Sequence, residues 1–174
     1  MRLKKLLAAK RHMLVGACAL IACSPSLHAQ ETWQLVMDND PVTKKSVCLL
    51  ESATRVIDDG QTQTPVKLIY NGKALYAQTR SRIDVTYPDV GLQVDHKELF
   101  SVDSVYKQKT AVFSRQVADI HEQFIVGLKA RLYLGFWPTW PKTGTRKIEF
   151  SLIGYTRADK QYEKCVADGG VDKL

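Results

Sequence analysis

Acidic residues are missing from the first 29 positions, where Arg2, Lys4, Lys5, Lys10 and Arg11 stand without a counter-charge. Those five account for most of the formal net charge of +7 on the 174-residue chain; without them, 20 basic residues face 18 acidic ones. A body so nearly neutral lacks the broad basic surface that binding a phosphate backbone requires, so no nucleic-acid partner is expected. Long apolar runs are missing as well. Residues 14–22 form an apolar run of nine, which rises only ~14 Å as a helix, about half the hydrocarbon core of a bilayer. No later stretch approaches the ~20 apolar residues of a membrane-spanning helix. The sequence holds no Gly-x-Ser-x-Gly elbow, no glycine-rich phosphate loop and no His-x-x-x-His pair, so neither a catalytic motif nor a cofactor is expected. Repeats and low-complexity tracts are absent too, and a 45% hydrophobic share with 25% charged residues suits an ordered globular chain.

What is present begins with an export signal. Residues 1–13 form a basic segment, 14–22 an apolar one, and 24–29 a short polar segment in which Pro25 precedes Ala29. Cleavage after Ala29 is the expected processing, and it places the mature protein in the periplasm or on the outer surface of a Gram-negative bacterium. A second reading competes: Leu20, Ile21, Ala22 and Cys23 resemble a bacterial lipobox, in which Cys23 carries lipid and becomes the mature N-terminus. Membrane attachment is expected only in that case. The expected organisation is a signal peptide at 1–29, one exported domain at 30–165 and a loose tail at 166–174.

Cysteine is scarce. Cys18 and Cys23 belong to the leader, which leaves Cys48 and Cys165 near opposite ends of the domain. In an oxidising compartment such an even pair predicts one structural disulfide, and no Cys-x-x-Cys spacing suggests redox chemistry.

Most of the mature chain has strand character. Short apolar or alternating runs at 33–37, 46–50, 66–70, 73–77, 83–87 and 92–94 are separated by turn signals such as Asp58-Asp59-Gly60. Asn71-Gly72 between two β-rich runs predicts a two-residue type I′ hairpin. Val117, Ile120, Phe124 and Leu128 recur at helical spacing, with Ser114 as candidate N-cap and Gly127 weakening the C-terminal end. Strands at 131–136 and 148–153 predict a hairpin with an aromatic tip, followed by a short helix from about 156 to 164. The fold class expected is mainly β with one or two helices, an antiparallel sandwich or barrel-like single domain.

The segment from Gly127 through Arg131, Leu132, Tyr133, Leu134, Gly135, Phe136, Trp137 and Pro138 to Ser151, Leu152, Gly154, Tyr155 and Thr156 is similar to the invasion-associated locus B family of exported proteobacterial proteins. Trp33, Cys48 and the stretch at 91–95 extend the resemblance over most of residues 32–165. The resemblance implies a small, β-rich, disulfide-bonded envelope or surface protein that acts by binding, with no catalytic residues to carry over. Family members often place a cysteine after the early tryptophan, where this chain has Met37 nearby; the departure favours pairing Cys48 with Cys165.

Trp137 and Trp140, bracketed by prolines and flanked by Phe136 and Tyr133, are the candidate partner-binding residues. Aromatics on a rigid loop can form a platform for an envelope or host-surface protein or a glycan, and the alternative is that they fold back to cap the sandwich. His96 and His121 are expected on the surface. Asp58 and Asp59 belong to a turn, Asp84 and Asp95 could face each other as the acid pair of a carbohydrate-active hydrolase, and Arg80, Arg82, Arg146 and Lys147 suit solvated strand ends.

Overall fold

Side chains that alternate between the two faces of each strand build two antiparallel sheets face to face. The computed structural model describes residues 33–138 and 144–169. The chain runs through β1 (Trp33–Asn39), β2 (Ser46–Ser52), β3 (Arg55–Asp58), β4 (Gln63–Tyr70) and β5 (Leu75–Thr79). It continues through β6 (Arg82–Asp84), β7 (Gly91–Val94), β8 (Leu99–Ser101), β9 (Ser104–Tyr106) and β10 (Thr110–Phe113). Helix α1 (Val117–Val126), β11 (Lys129–Trp137), β12 (Arg146–Ser151) and α2 (Tyr155–Ala167) complete it. One sheet has the order β1-β2-β4-β5-β10-β9, with β3 also paired to β4; the other has the order β12-β11-β7-β8, with β6 also paired to β11. The domain is thus mainly β, sandwich-like and antiparallel.

Side chains two apart along each strand share a face. Val66 and Leu68, Leu75 and Ala77, Ala111 and Phe113 point from the larger sheet into the core, where they meet Leu132, Leu134, Ile148 and Phe150 from the smaller one. The opposite face of the larger sheet carries a second apolar cluster, Leu49, Ile69, Ala74 and Tyr76, covered in part by Val42. Val42 belongs to the β1–β2 loop at 40–45. That loop folds onto the sheet because the buried Asp40 carboxylate accepts the N–H groups of Val42 (2.9 Å) and Thr43 (2.7 Å). Burial pushes the Asp40 carboxyl up, but those bonds and one from Asn71 outweigh it and hold the group below the usual carboxylate range.

β2 and β3 behave as one bent strand. Between Glu51↔Ile69 and Arg55↔Val66 the chain advances four residues on one side and three on the other, the signature of a β-bulge. Ser52 Oγ repairs the interrupted ladder by accepting the Leu68 N–H at 2.9 Å.

Several local expectations change. Tyr70 pairs with Leu75, so the Asn71-Gly72 loop has four residues rather than two. Asn71 Oδ1 accepts the N–H groups of Lys73 and Ala74, which closes an Asx-type turn with only Gly72 at positive φ (81°). Ser114 is not the N-cap of α1; its N–H and hydroxyl both donate to Asp103, and Gln116 occupies the cap. Leu128 lies beyond the helix and is exposed. β6 ends at Asp84, whose carboxylate takes the Thr86 N–H and hydroxyl, so the run 83–87 is mostly not strand. Helix α2 extends to Ala167, past the expected helix end near 164.

Cys48 on β2 and Cys165 on α2 are joined, with Cα atoms 6.3 Å apart. The bond spans 117 residues of chain and pins the last helix to the larger sheet. None of the described helices is long and apolar enough to cross a membrane.

Candidate functional site

The aromatic candidates separate by the two-residue period of β11. Phe136 is 3% exposed and packs in the core, so it offers nothing to a partner; Trp137, the next residue, points outward and is 55% exposed. Tyr133 is half-buried on the outward side, its hydroxyl 3.5 Å from Gln93. Trp140 and Cys23 lie outside the described residues, as do the leader and residues 170–174. The capping reading does not describe Trp137, which faces solvent. The tryptophan that does serve the core is Trp33, edge-on to Phe124 and Tyr155 with its indole N–H donating to Ser151 O at 2.8 Å.

His96 is exposed, whereas His121 is not the surface residue the sequence suggests. Its ring stacks on Tyr70 at 5.0 Å, Nδ1 is 2.8 Å from the Tyr155 hydroxyl and Nε2 is 3.6 Å from the Asp159 carboxylate. Burial pushes the Asp159 carboxyl up; His121 opposes that shift and Glu163 adds to it. Burial likewise pushes the Tyr162 hydroxyl up to about 12. A hydroxyl, an imidazole and a carboxylate in line have the order of a nucleophile, a base and its orienting acid. Yet Tyr155 is fully buried, and among the described residues none of the three lines either of the clefts of about 540 and 580 Å³. They join α1 to α2 as a packed polar latch.

The carboxylate pair does not form. Asp84 sits opposite Gly135 on β11, while Asp95 accepts the Lys129 N–H at the other end of the same strand. Six residues of strand separate them by about 20 Å, far beyond the ~5–10 Å of glycosidase acids. Asp58 ends β3 and Asp59 opens the turn after it, their carboxylates accepting the N–H groups of Gly60, Gln61 and Thr62. Lys147 is paired with Glu149 at 3.4 Å. Hydrogen bonding from Lys129 leads the effects that draw the Glu149 carboxyl down to about 2. No group of three or more metal-ligating residues gathers among the described residues.

What the fold does bring together is positive charge. On the outer face of the larger sheet, Lys67, Gln78, Thr110 and Tyr106 are successive cross-strand partners on β4, β5, β10 and β9. This polar row forms the floor of a cleft of about 540 Å³, within the size range of small-ligand sites. Lys44, Arg80, Lys107 and Lys109 stand around it, and none of the described residues that line it is a carboxylate. Tyr106 organises two of the cations: the ammonium groups of Lys44 and Lys107 lie 5.8 and 5.4 Å from its ring centre, in cation–π range. Lys44 Nζ also donates to Pro41 O at 2.7 Å. Among the described residues, Lys67 alone of these cations has an acidic partner, Glu51, at 2.6 Å.

Backbone strain gathers at the same place. Lys44 (φ 64°), Lys107 (φ 46°) and Gln108 (φ 59°) are three of the four described non-glycine residues at positive φ. The left-handed region costs an L-residue roughly 1–2 kcal/mol, and neither lysine nor glutamine relieves this as glycine would. The successive positive-φ pair that hairpin chemistry leads one to expect at Asn71-Gly72 occurs here instead, with Lys109 N–H donating to Tyr106 O at 3.1 Å. The loop is held against the sheet by Lys109 O and Gln108 O, which accept the Thr79 and Ile83 N–H groups at 2.9 and 2.7 Å.

Sequence reasoning missed this cleft because its cations are spread from position 44 to position 109, with no local motif. The nearest signal was Arg80, read as a strand end. Compared with protein-family models, with curated proteins and with solved structures, the chain matches none of them.

Proposed function

We propose that this chain is an exported, non-enzymatic binding domain of the bacterial cell envelope, of the kind the invasion-associated locus B family represents, and that it takes hold of an anionic partner in the Lys44–Lys107 cleft. The observation that carries the reading is the cleft itself: five cations line one concavity, four of them without an acidic partner among the described residues. Like charges gathered in this way repel one another, and an arriving anion relieves the repulsion while being steered toward the site. The Cys48–Cys165 bond supports an oxidising compartment, in agreement with the basic leader. Trp137 is available as a secondary contact on the other sheet.

The test is expression of the full chain in a Gram-negative host, followed by fractionation and mass measurement of the mature N-terminus. A free terminus at Gln30 is expected; a diacylglyceryl mass on Cys23 would replace the soluble form by a lipid-anchored one. An unprocessed cytosolic chain would overturn export. Recovery of the exported protein on isolated envelopes should fall several-fold in a Lys107→Glu, Lys109→Glu variant at low ionic strength, and unchanged recovery would remove the cleft as the binding site.

A further inference from the structure

Resting on that reading, we infer that the cleft takes a phosphate-bearing glycan, the phosphate seated between Lys44 and Lys107 and the sugar laid along the polar floor. Two features select phosphate. The ammonium groups of Lys44 and Lys107 both lie within cation–π range of the one Tyr106 ring, so two point charges are held near each other at one end of the cleft, where a doubly charged group can answer both. Arg80 and Lys109 stand at the rim without an ion pair among the described residues, leaving fork-shaped and point-charge donors for further anionic oxygens. A single carboxylate would leave most of that charge unanswered.

The floor selects the rest of the ligand. Lys67, Gln78, Thr110 and Tyr106 span three inter-strand steps, or roughly 14 Å, the length of a short oligosaccharide. Gln78, half-buried beside the buried Thr110, is a neutral group that both donates and accepts hydrogen bonds, as sugar hydroxyls require. An acidic peptide fits less well. β4, β5 and β10 are interior strands whose backbone groups are engaged with neighbours, so an extended peptide finds no free edge to pair with over most of the floor. A nucleic-acid strand needs aromatic faces for its bases, and the one aromatic ring in the cleft is occupied by its own lysines.

The left-handed backbone at Lys44 and Lys107 agrees with this use. Strain of this kind persists where the surroundings hold a side chain in place, and it concentrates at ligand clamps. Lys107 is carried by the turn that Thr79 and Ile83 tie to the sheet, and Lys44 by the loop that Asp40 closes.

Titration calorimetry on the processed full chain tests the inference with four probes: a mannose-6-phosphate-bearing oligosaccharide, the same oligosaccharide without phosphate, inorganic polyphosphate and single-stranded DNA. The phosphorylated oligosaccharide should bind best, and Lys44→Gln with Lys107→Gln should weaken it at least about tenfold. Amide shifts at Gln78, Tyr106 and Thr110 in wild-type protein should report the same ligand, which guards against a variant that folds poorly. Equal binding of the unphosphorylated sugar would overturn the phosphate assignment. Equal or tighter binding of polyphosphate or DNA would overturn the glycan assignment while leaving an anion-binding cleft. If no probe binds and envelope recovery is also insensitive to the cleft lysines, the site and the inference fall together; if recovery remains sensitive, only the ligand class is wrong.

Discussion

His121 on α1 and Asp159 on α2 face each other at 3.6 Å, one of the polar links that hold the two helices together beside Tyr70. Burial raises the Asp159 carboxyl, so the folded protein holds that proton more tightly than the unfolded chain does. The stability contributed in this way is fully present below the ordinary carboxyl value of 3.8 and is lost as pH rises through the folded value. An Asp159→Asn variant lacks the loss. Its melting temperature relative to wild type should climb between acid and neutral pH, and a constant difference in parallel thermal melts would show that Asp159 carries no such proton.

Gly72 and Tyr162 form a second constraint. A Cβ at Gly72 would land on the Tyr162 hydroxyl, and the residue has φ 81°. Gly72→Ala should cost about 1–2 kcal/mol from the left-handed backbone alone, more if Tyr162 cannot move aside. Tyr162→Phe in the same chain should recover part of the difference in urea unfolding. No recovery would assign the whole effect to the backbone.

Removing the disulfide acts mainly on the unfolded chain. Closing a loop of 117 residues is worth about 5 kcal/mol in the chain-entropy view, or roughly 15–20 °C for a domain of this size. Cys48→Ser should therefore melt well below wild type and expose one titratable thiol at Cys165. Two free thiols in exported wild-type protein would contradict the pairing.

Gln108 tests the strain without touching the charges. It has φ 59°, so Gln108→Gly should stabilise the fold by about 0.5–1 kcal/mol, since only glycine occupies that region freely. Ligand binding in the cleft should be preserved, because every cation remains. Destabilisation on chemical unfolding would mean that the glutamine side chain makes a contact worth more than the strain.

Much of the architecture is written locally. Val66 and Leu68 straddle the polar Lys67, and Leu75 and Ala77 likewise stand two apart, so the period of a strand puts each pair on one face; the apolar Ile69, Ala74 and Tyr76 beside them pack on the other side of the sheet. The apolar period of Ile120 and Phe124 likewise announces α1, and both are buried. Asn71-Gly72 announced a turn correctly but not its length, because the Asn71 side chain captured two backbone N–H groups and so closed a longer loop. His121 misled for a different reason. Its surroundings come from Tyr70 and Asp159, 51 residues before it and 38 after it in the chain, and no local pattern carries burial supplied from such distances.

The amino-acid order by itself determined the strand class, the main helix and the two sulfurs available to each other, since propensity, periodicity and composition act over a few residues. The tertiary structure alone decided that Lys44, Lys67, Arg80, Lys107 and Lys109 share one cleft. Strand order and register bring those charges to one face of one sheet. Electrostatic attraction for a ligand depends on distances through space, which the order of residues does not state.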